Sequence, residues 1–168
     1  MTVAVENRKY FVDVFMDWCA SIRLSYDVAN IKPYSYYGSV LEIVNYLNAK
    51  SDNNLPRYPM IALADNEGLK QIKKDDWYEV SPTIYIFSET IEAYDPQQRY
   101  TNVIKPILFP LKELLSEEIQ NSDSISPANE VDEPVFEIFK GSLNGMTIPD
   151  TVDCIKLNFS NLRIKNNC

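Results

Sequence analysis

Residues 83–87, Thr-Ile-Tyr-Ile-Phe, are apolar at both alternate sets of positions, and the rest of the hydrophobic pattern is ordered around them. A strand of that kind is buried on both faces, either inside a sheet between two layers or between one layer and a neighbouring subunit. A polar connection follows over 88–97, with Asp95-Pro96 as a turn signal. From Gln98 the chain then reads as its longest amphipathic helix, with Tyr100, Val103, Ile104, Ile107, Leu108, Leu111, Leu114, Leu115 and Ile119 along one side. Pro106 and Pro110 each remove a helical donor and crowd the preceding turn. At helical periodicity both fall on the polar side with Glu113 and Glu117, so the pattern predicts one bent helix and not two.

Upstream, residues 5–24 repeat apolar side chains at steps of three and four: Tyr10, Phe11, Val14, Phe15, Trp18, Cys19 and Ile22, with Arg8, Asp13 and Asp17 opposite. This predicts a packing helix. Residues 25–38 are irregular and tyrosine-rich, suited to a short strand or extended edge. Ser39 and Glu42 have capping-box spacing, which starts a helix at Val40 with Val40, Leu41, Val44 and Leu47 as its buried face, ending over 48–54. Residues 57–65 predict a strand, and Pro59 confines its first half to a sheet edge or a strand start.

Residues 67–76 carry Lys70, Lys73 and Lys74 followed by Asp75 and Asp76, the pattern of a solvated loop or short helix. The functional alternative is an arm that touches a partner or DNA, and Lys70, Lys73, Lys74 and Trp77 are the expected contact residues. Residues 121–134 read as a polar loop, 135–140 as a strand, and 141–150 as a turn-rich connection. The final pattern over 154–164 alternates Ile155, Leu157 and Phe159, then changes parity across Ser160-Asn161, which predicts a bulge or tight turn. The whole describes an α+β fold: a mixed, mainly antiparallel sheet flanked by two or three helices, in one domain spanning 1–168.

Composition narrows the function classes. A chain of 168 residues, 45% hydrophobic and 24% charged, suits a single sizeable core. Its net charge of −8 opposes wrapping nucleic acid by phosphate neutralisation, though not a passage through which DNA slides. Eleven tyrosines and seven phenylalanines favour interfaces. Histidine is absent, which removes the commonest general base and metal ligand. Cys19, Cys154 and Cys168 are too few and too scattered for a disulfide framework or zinc site, and fit a reducing compartment. The first residues lack the layout of a signal peptide and no apolar run is long enough to span a bilayer, so a soluble chain made in the cytoplasm is expected. No cofactor motif occurs, since Gly38, Gly68, Gly141 and Gly145 match no phosphate-binding loop. The sharpest catalytic alternative is a magnesium-dependent nuclease using Asp65, Glu67 and Lys70, a spacing that any polar turn after a strand also produces.

Four segments carry a family resemblance: YGSVLEIVNYL, RYPMIALAD, IYIFSET and RYTNVIKPILFPLKELL. In this order they resemble the neck and tail-completion (tail-terminator-like) proteins of tailed bacteriophages, especially those of crAss-like phages. The shared marks are a Tyr-Gly before a short helix, a Tyr-Pro strand, an apolar strand, and a helix opening on Arg99, Tyr100, Val103 and Pro106. They span residues 36–115, within a matched core of 1–120. The resemblance implies a non-enzymatic virion protein that forms a homo-oligomeric ring, hexamer or dodecamer, at the head–tail junction. Such a ring contacts adjacent portal, connector or tail proteins and lets DNA pass without specific binding. Residues 134–168 lie beyond the match, as an added hairpin or as the remainder of the sheet. The alternative reading is a phage-encoded module that docks on a host protein.

Overall fold

The computed structural model describes residues 10–28, 30–65, 72–74, 77–125, 130–131, 134–160 and 162–165. Among these residues three helical segments and nine strands follow one another, beginning with α1 (Phe11–Ser25), β1 (Tyr34–Gly38), α2 (Val40–Asp52), β2 (Met60–Ala64), β3 (Ile72–Lys74), β4 (Trp77–Val80) and β5 (Thr83–Glu89). Then come a continuous helix made of α3 (Pro96–Arg99), a π-helical stretch (Tyr100–Leu108) and α4 (Phe109–Asn121), and the strands β6 (Glu130–Val131), β7 (Val135–Leu143), β8 (Met146–Ser160) and β9 (Leu162–Lys165). The architecture is α+β. The main sheet has the order β1-β2-β5-β8, with β6 and β7 both paired to β8, and a smaller sheet has the order β3-β4-β9. Only β1 and β2 are parallel in the main sheet; its other pairings are antiparallel.

β5 occupies the centre, and Ile84, Tyr85, Ile86 and Phe87 are all buried. Ile84 and Ile86 join Ile61, Leu63, Ile155 and Leu157 beneath α1 and α4, whose Phe11, Phe15, Trp18, Ile22, Leu108, Leu111 and Leu115 cover that face. Tyr85 and Phe87 turn to the opposite face with Met60, Ala62, Val152 and Cys154, beneath Val40, Ile43, Val44 and Leu47 of α2. Both covers of β5 therefore come from this chain, which decides between the two options its sequence left open. Full burial of each such side chain contributes about 1.5–3 kcal/mol, so this strand is the main anchor of the core.

Several elements differ from expectation, each for a local reason. Leu41 is exposed and Ile43 takes its place, because positions 40, 43, 44 and 47 share one helical face and 41 does not. Tyr10 is exposed ahead of α1, with Asp13 accepting from its backbone N–H at 3.1 Å; the expected start at residues 5–9 lies outside the described residues. Asp95-Pro96 opens a helix instead of a turn: Asp95 Oδ1 accepts from the Gln98 N–H at 2.8 Å, and Pro96 fills the first helical turn, where no donor is needed.

The long helix stays unbroken through both prolines, but its middle is π-helical. The Phe109 N–H reaches back five residues to the Ile104 carbonyl, so the ladder shifts one residue where Pro106 supplies no donor. Val103, Ile104, Ile107 and Leu108 still pack inward as expected, while Tyr100, at the start of the stretch, is exposed.

In the segments expected to be loops, Ile72–Lys74 forms β3, Glu130–Val131 forms β6, and Ile125 is buried, bridging to Ile164. The expected turn-rich connection over 141–150 is a tight hairpin. Asn144 and Gly145 both have positive φ, at 48° and 79°, which matches the two-residue turn that Asn-Gly favours. β8 thus begins at Met146. It pairs with β5 from Val152 to Asn158, so the residues after 134 are integral to the sheet. At the parity change the chain leaves the main sheet at Ser160 and joins the small one at Leu162; Asn161 lies outside the described residues. No helix among the described residues is long and apolar enough to cross a membrane.

Candidate functional site

The topology leaves the main sheet open at both ends. Among the described residues β1 pairs only with β2, and β7 only with β8. An open edge presents a row of backbone donors and acceptors to any incoming strand, and proteins normally blunt it with charge, proline or bulges. β1, Tyr-Ser-Tyr-Tyr-Gly, carries no charge at all. β7 is regular from Val135 to Lys140 before its irregularity at Gly141, and Glu137 and Lys140 are its only charges. Its first two side chains, Val135 and Phe136, are 42% and 50% exposed.

The exposure at β7 continues onto the neighbouring helix. Phe136 meets Phe109 edge to face at 5.8 Å between ring centroids, and Phe109 meets Tyr100 the same way at 6.1 Å. Three aromatic rings thus run from the sheet edge along the π-helical stretch. Edge-to-face pairs are attractive beyond their buried area, which holds these rings in one arrangement.

What fixes Tyr100 beside the edge is the residue before it. Arg99 Nε donates to Asp153 Oδ1 at 2.8 Å, and Arg99 Nη2 donates to the same oxygen. Asp153 lies on β8, opposite Ser88 of β5 and Ile138 of β7, and its side chain is 1% exposed. The pair therefore ties the start of the π-helical stretch to the strand adjoining the open edge. Thr90, also buried, lies nearby in the chain direction, its N–H bonded to the Thr151 carbonyl at 2.9 Å.

The contact residues expected from sequence fall elsewhere. Lys70 lies outside the described residues, Lys73 and Lys74 lie on β3, and Trp77 on β4. Register puts Lys74, Trp77 and Lys165 in one cross-strand row. The Arg163 guanidinium lies over the Trp77 ring at 4.4 Å and approaches Glu79 at 3.8 Å. The structure thereby brings Arg163 and Lys165 to a place where the sequence pointed only to β3 and β4.

Of the three nuclease candidates, Glu67 and Lys70 lie outside the described residues. Asp65 follows β2 and accepts a 2.7 Å hydrogen bond from the Tyr37 hydroxyl, which pushes the Tyr37 pKa up to about 12. No group of three or more Cys, Asp or Glu side chains among the described residues is placed to hold a metal ion. Burial raises the Cys19 thiol to about 12 and the Cys154 thiol well above its ordinary value, which keeps both protonated and unreactive. Arg57 grips Asp150 through two 2.7 Å bonds, joining the start of β2 to the β7–β8 hairpin, a structural tie. Compared with known proteins, the chain matches no protein-family model and no curated protein.

Proposed function

We propose that this chain is a structural virion subunit that works by self-assembly, forming a homo-oligomeric ring at the head–tail junction of a tailed bacteriophage. The observation that carries the reading is the aromatic stripe beside the open β7 edge, in which Tyr100 and Phe136 are exposed and Phe109, partly buried, joins them. Aromatic anchors next to unpaired strand groups are what a permanent interface uses, and a subunit left alone would leave them in water. The resemblance over residues 36–115 supplies the place in the particle, a neck, connector or tail-terminator ring touching portal or tail proteins. The net charge of −8 suits a lumen through which DNA passes without being held. In this role the protein is not an enzyme and needs no cofactor.

Mass spectrometry of purified particles of the encoding phage tests the assignment. The chain should appear in a small fixed ratio to the portal protein, and its absence from particles overturns a virion role.

A further inference from the structure

We infer that the open β7 edge of one copy receives the open β1 edge of the next, so that the main sheet runs continuously from subunit to subunit. This rests on the self-assembly proposed above and specifies the surface and the partner: a second copy of this chain, through β1.

The argument starts from strand directions. β1 and β2 are parallel, β5 is antiparallel to β2, β8 to β5, and β7 to β8. β7 therefore runs opposite to β1, at the other end of the same sheet. A neighbour related by rotation about an axis along the strands keeps its strand direction. Its β1 then meets β7 antiparallel, the better of the two ladder geometries. The same operation leaves each sheet face pointing the same way, so α1 and α4 stay in one layer and α2 in the other throughout. A contact between two different patches, repeated by one rotation, closes into a ring.

Side-chain parity agrees. Phe136 stands in the row of Ile155 and Tyr37 in the row of Leu63, both on the face covered by α1 and α4. Phe139 stands in the row of Val152, and Tyr34 in the row of Met60, both on the α2 face. In the antiparallel register that sets Tyr37 opposite Phe136, Tyr34 falls opposite Phe139, so aromatic meets aromatic on both faces. β1 has five residues, and β7 offers a regular stretch of comparable length before Gly141. The two edges bring no like charges together, since β1 has none. By contrast, pairing β7 with a second β7 about a two-fold axis would give a closed dimer and leave both β1 edges open.

Cross-linking decides between them. Tyr37→Cys and Phe136→Cys are made separately with Cys168→Ser, one carrying a size tag, and co-expressed; Cys19 and Cys154 are buried in the fold. A short bismaleimide should join the tagged chain to the untagged one, while neither variant expressed alone should cross-link to itself. The pair Tyr34→Cys and Phe139→Cys, opposed in the same register, should behave alike, which keeps the test independent of Phe136. Oligomers that cross-link through Phe136→Cys alone, or that give no product with either mixed pair, overturn the β1–β7 contact and leave self-assembly standing. A chain that light scattering shows to be monomeric under the same conditions overturns self-assembly, and this contact with it.

Discussion

Arg99 and Asp153 are 54 residues apart in sequence, and no pattern links them, yet their pairing sets where the exposed stripe begins. The two partners differ in what they risk. Asp153 is almost wholly buried, while the Arg99 side chain is 20% exposed and can turn toward water. Replacing Arg99 by Ala strands a buried carboxylate, which costs about 3–5 kcal/mol. Asp153→Asn leaves a neutral group beside an arginine that still reaches solvent, and should cost clearly less. Urea denaturation of both variants measures the difference; equal losses would mean that the carboxylate is not the dependent partner. Single-residue signals that were legible in the sequence are those with local partners. The Ser39–Glu42 box closes as expected, with the Ser39 hydroxyl accepting from the Glu42 N–H at 3.2 Å. Pairs whose members are brought together only by the sheet, such as Arg99–Asp153, Arg57–Asp150 and Trp77–Arg163, gave no such signal.

At the scale of elements, periodicity located what packs and missed what turns. The buried faces of α1 and β5 stood out because both run long enough for apolar spacing to repeat, and apart from Tyr10 the structure buries the expected residues. The π-helical stretch was hidden because its apolar spacing is that of an ordinary α-helix, while the change lies in the backbone donors around Pro106. The β7–β8 hairpin carried a readable sign, Asn144-Gly145, whose flanks alternate less cleanly than in a simple hairpin. Because Gly145 has φ of 79°, a Cβ there is strained even though the surrounding space is open. Gly145→Ala should therefore destabilise by about 1–2 kcal/mol, seen as a lower thermal midpoint. Gly145→Asn, which tolerates that backbone region better, should lose less. If Gly145→Ala leaves the midpoint unchanged, the two-residue turn is not the one adopted.

For the whole molecule, the topology separates a completed core from unfinished sheet ends. Two helical layers cover the central strands from both sides, so the core is complete within one chain. The sheet ends are not: among the described residues β1 and β7 stand open, and Tyr100 and Phe136 beside β7 are exposed. Sequence reading located the aromatic surplus but not the open strands, since an edge strand is defined only once the strand order is known. The central claim is that these edges exist for assembly, and the mass of the particle in solution tests it most directly. Light scattering across a range of concentrations should give one fixed multiple of 19.4 kDa for the natural chain. Phe136→Asp places a charge on a half-exposed position and should give 19.4 kDa with unchanged circular dichroism. A natural chain that stays at 19.4 kDa at every concentration would contradict the account.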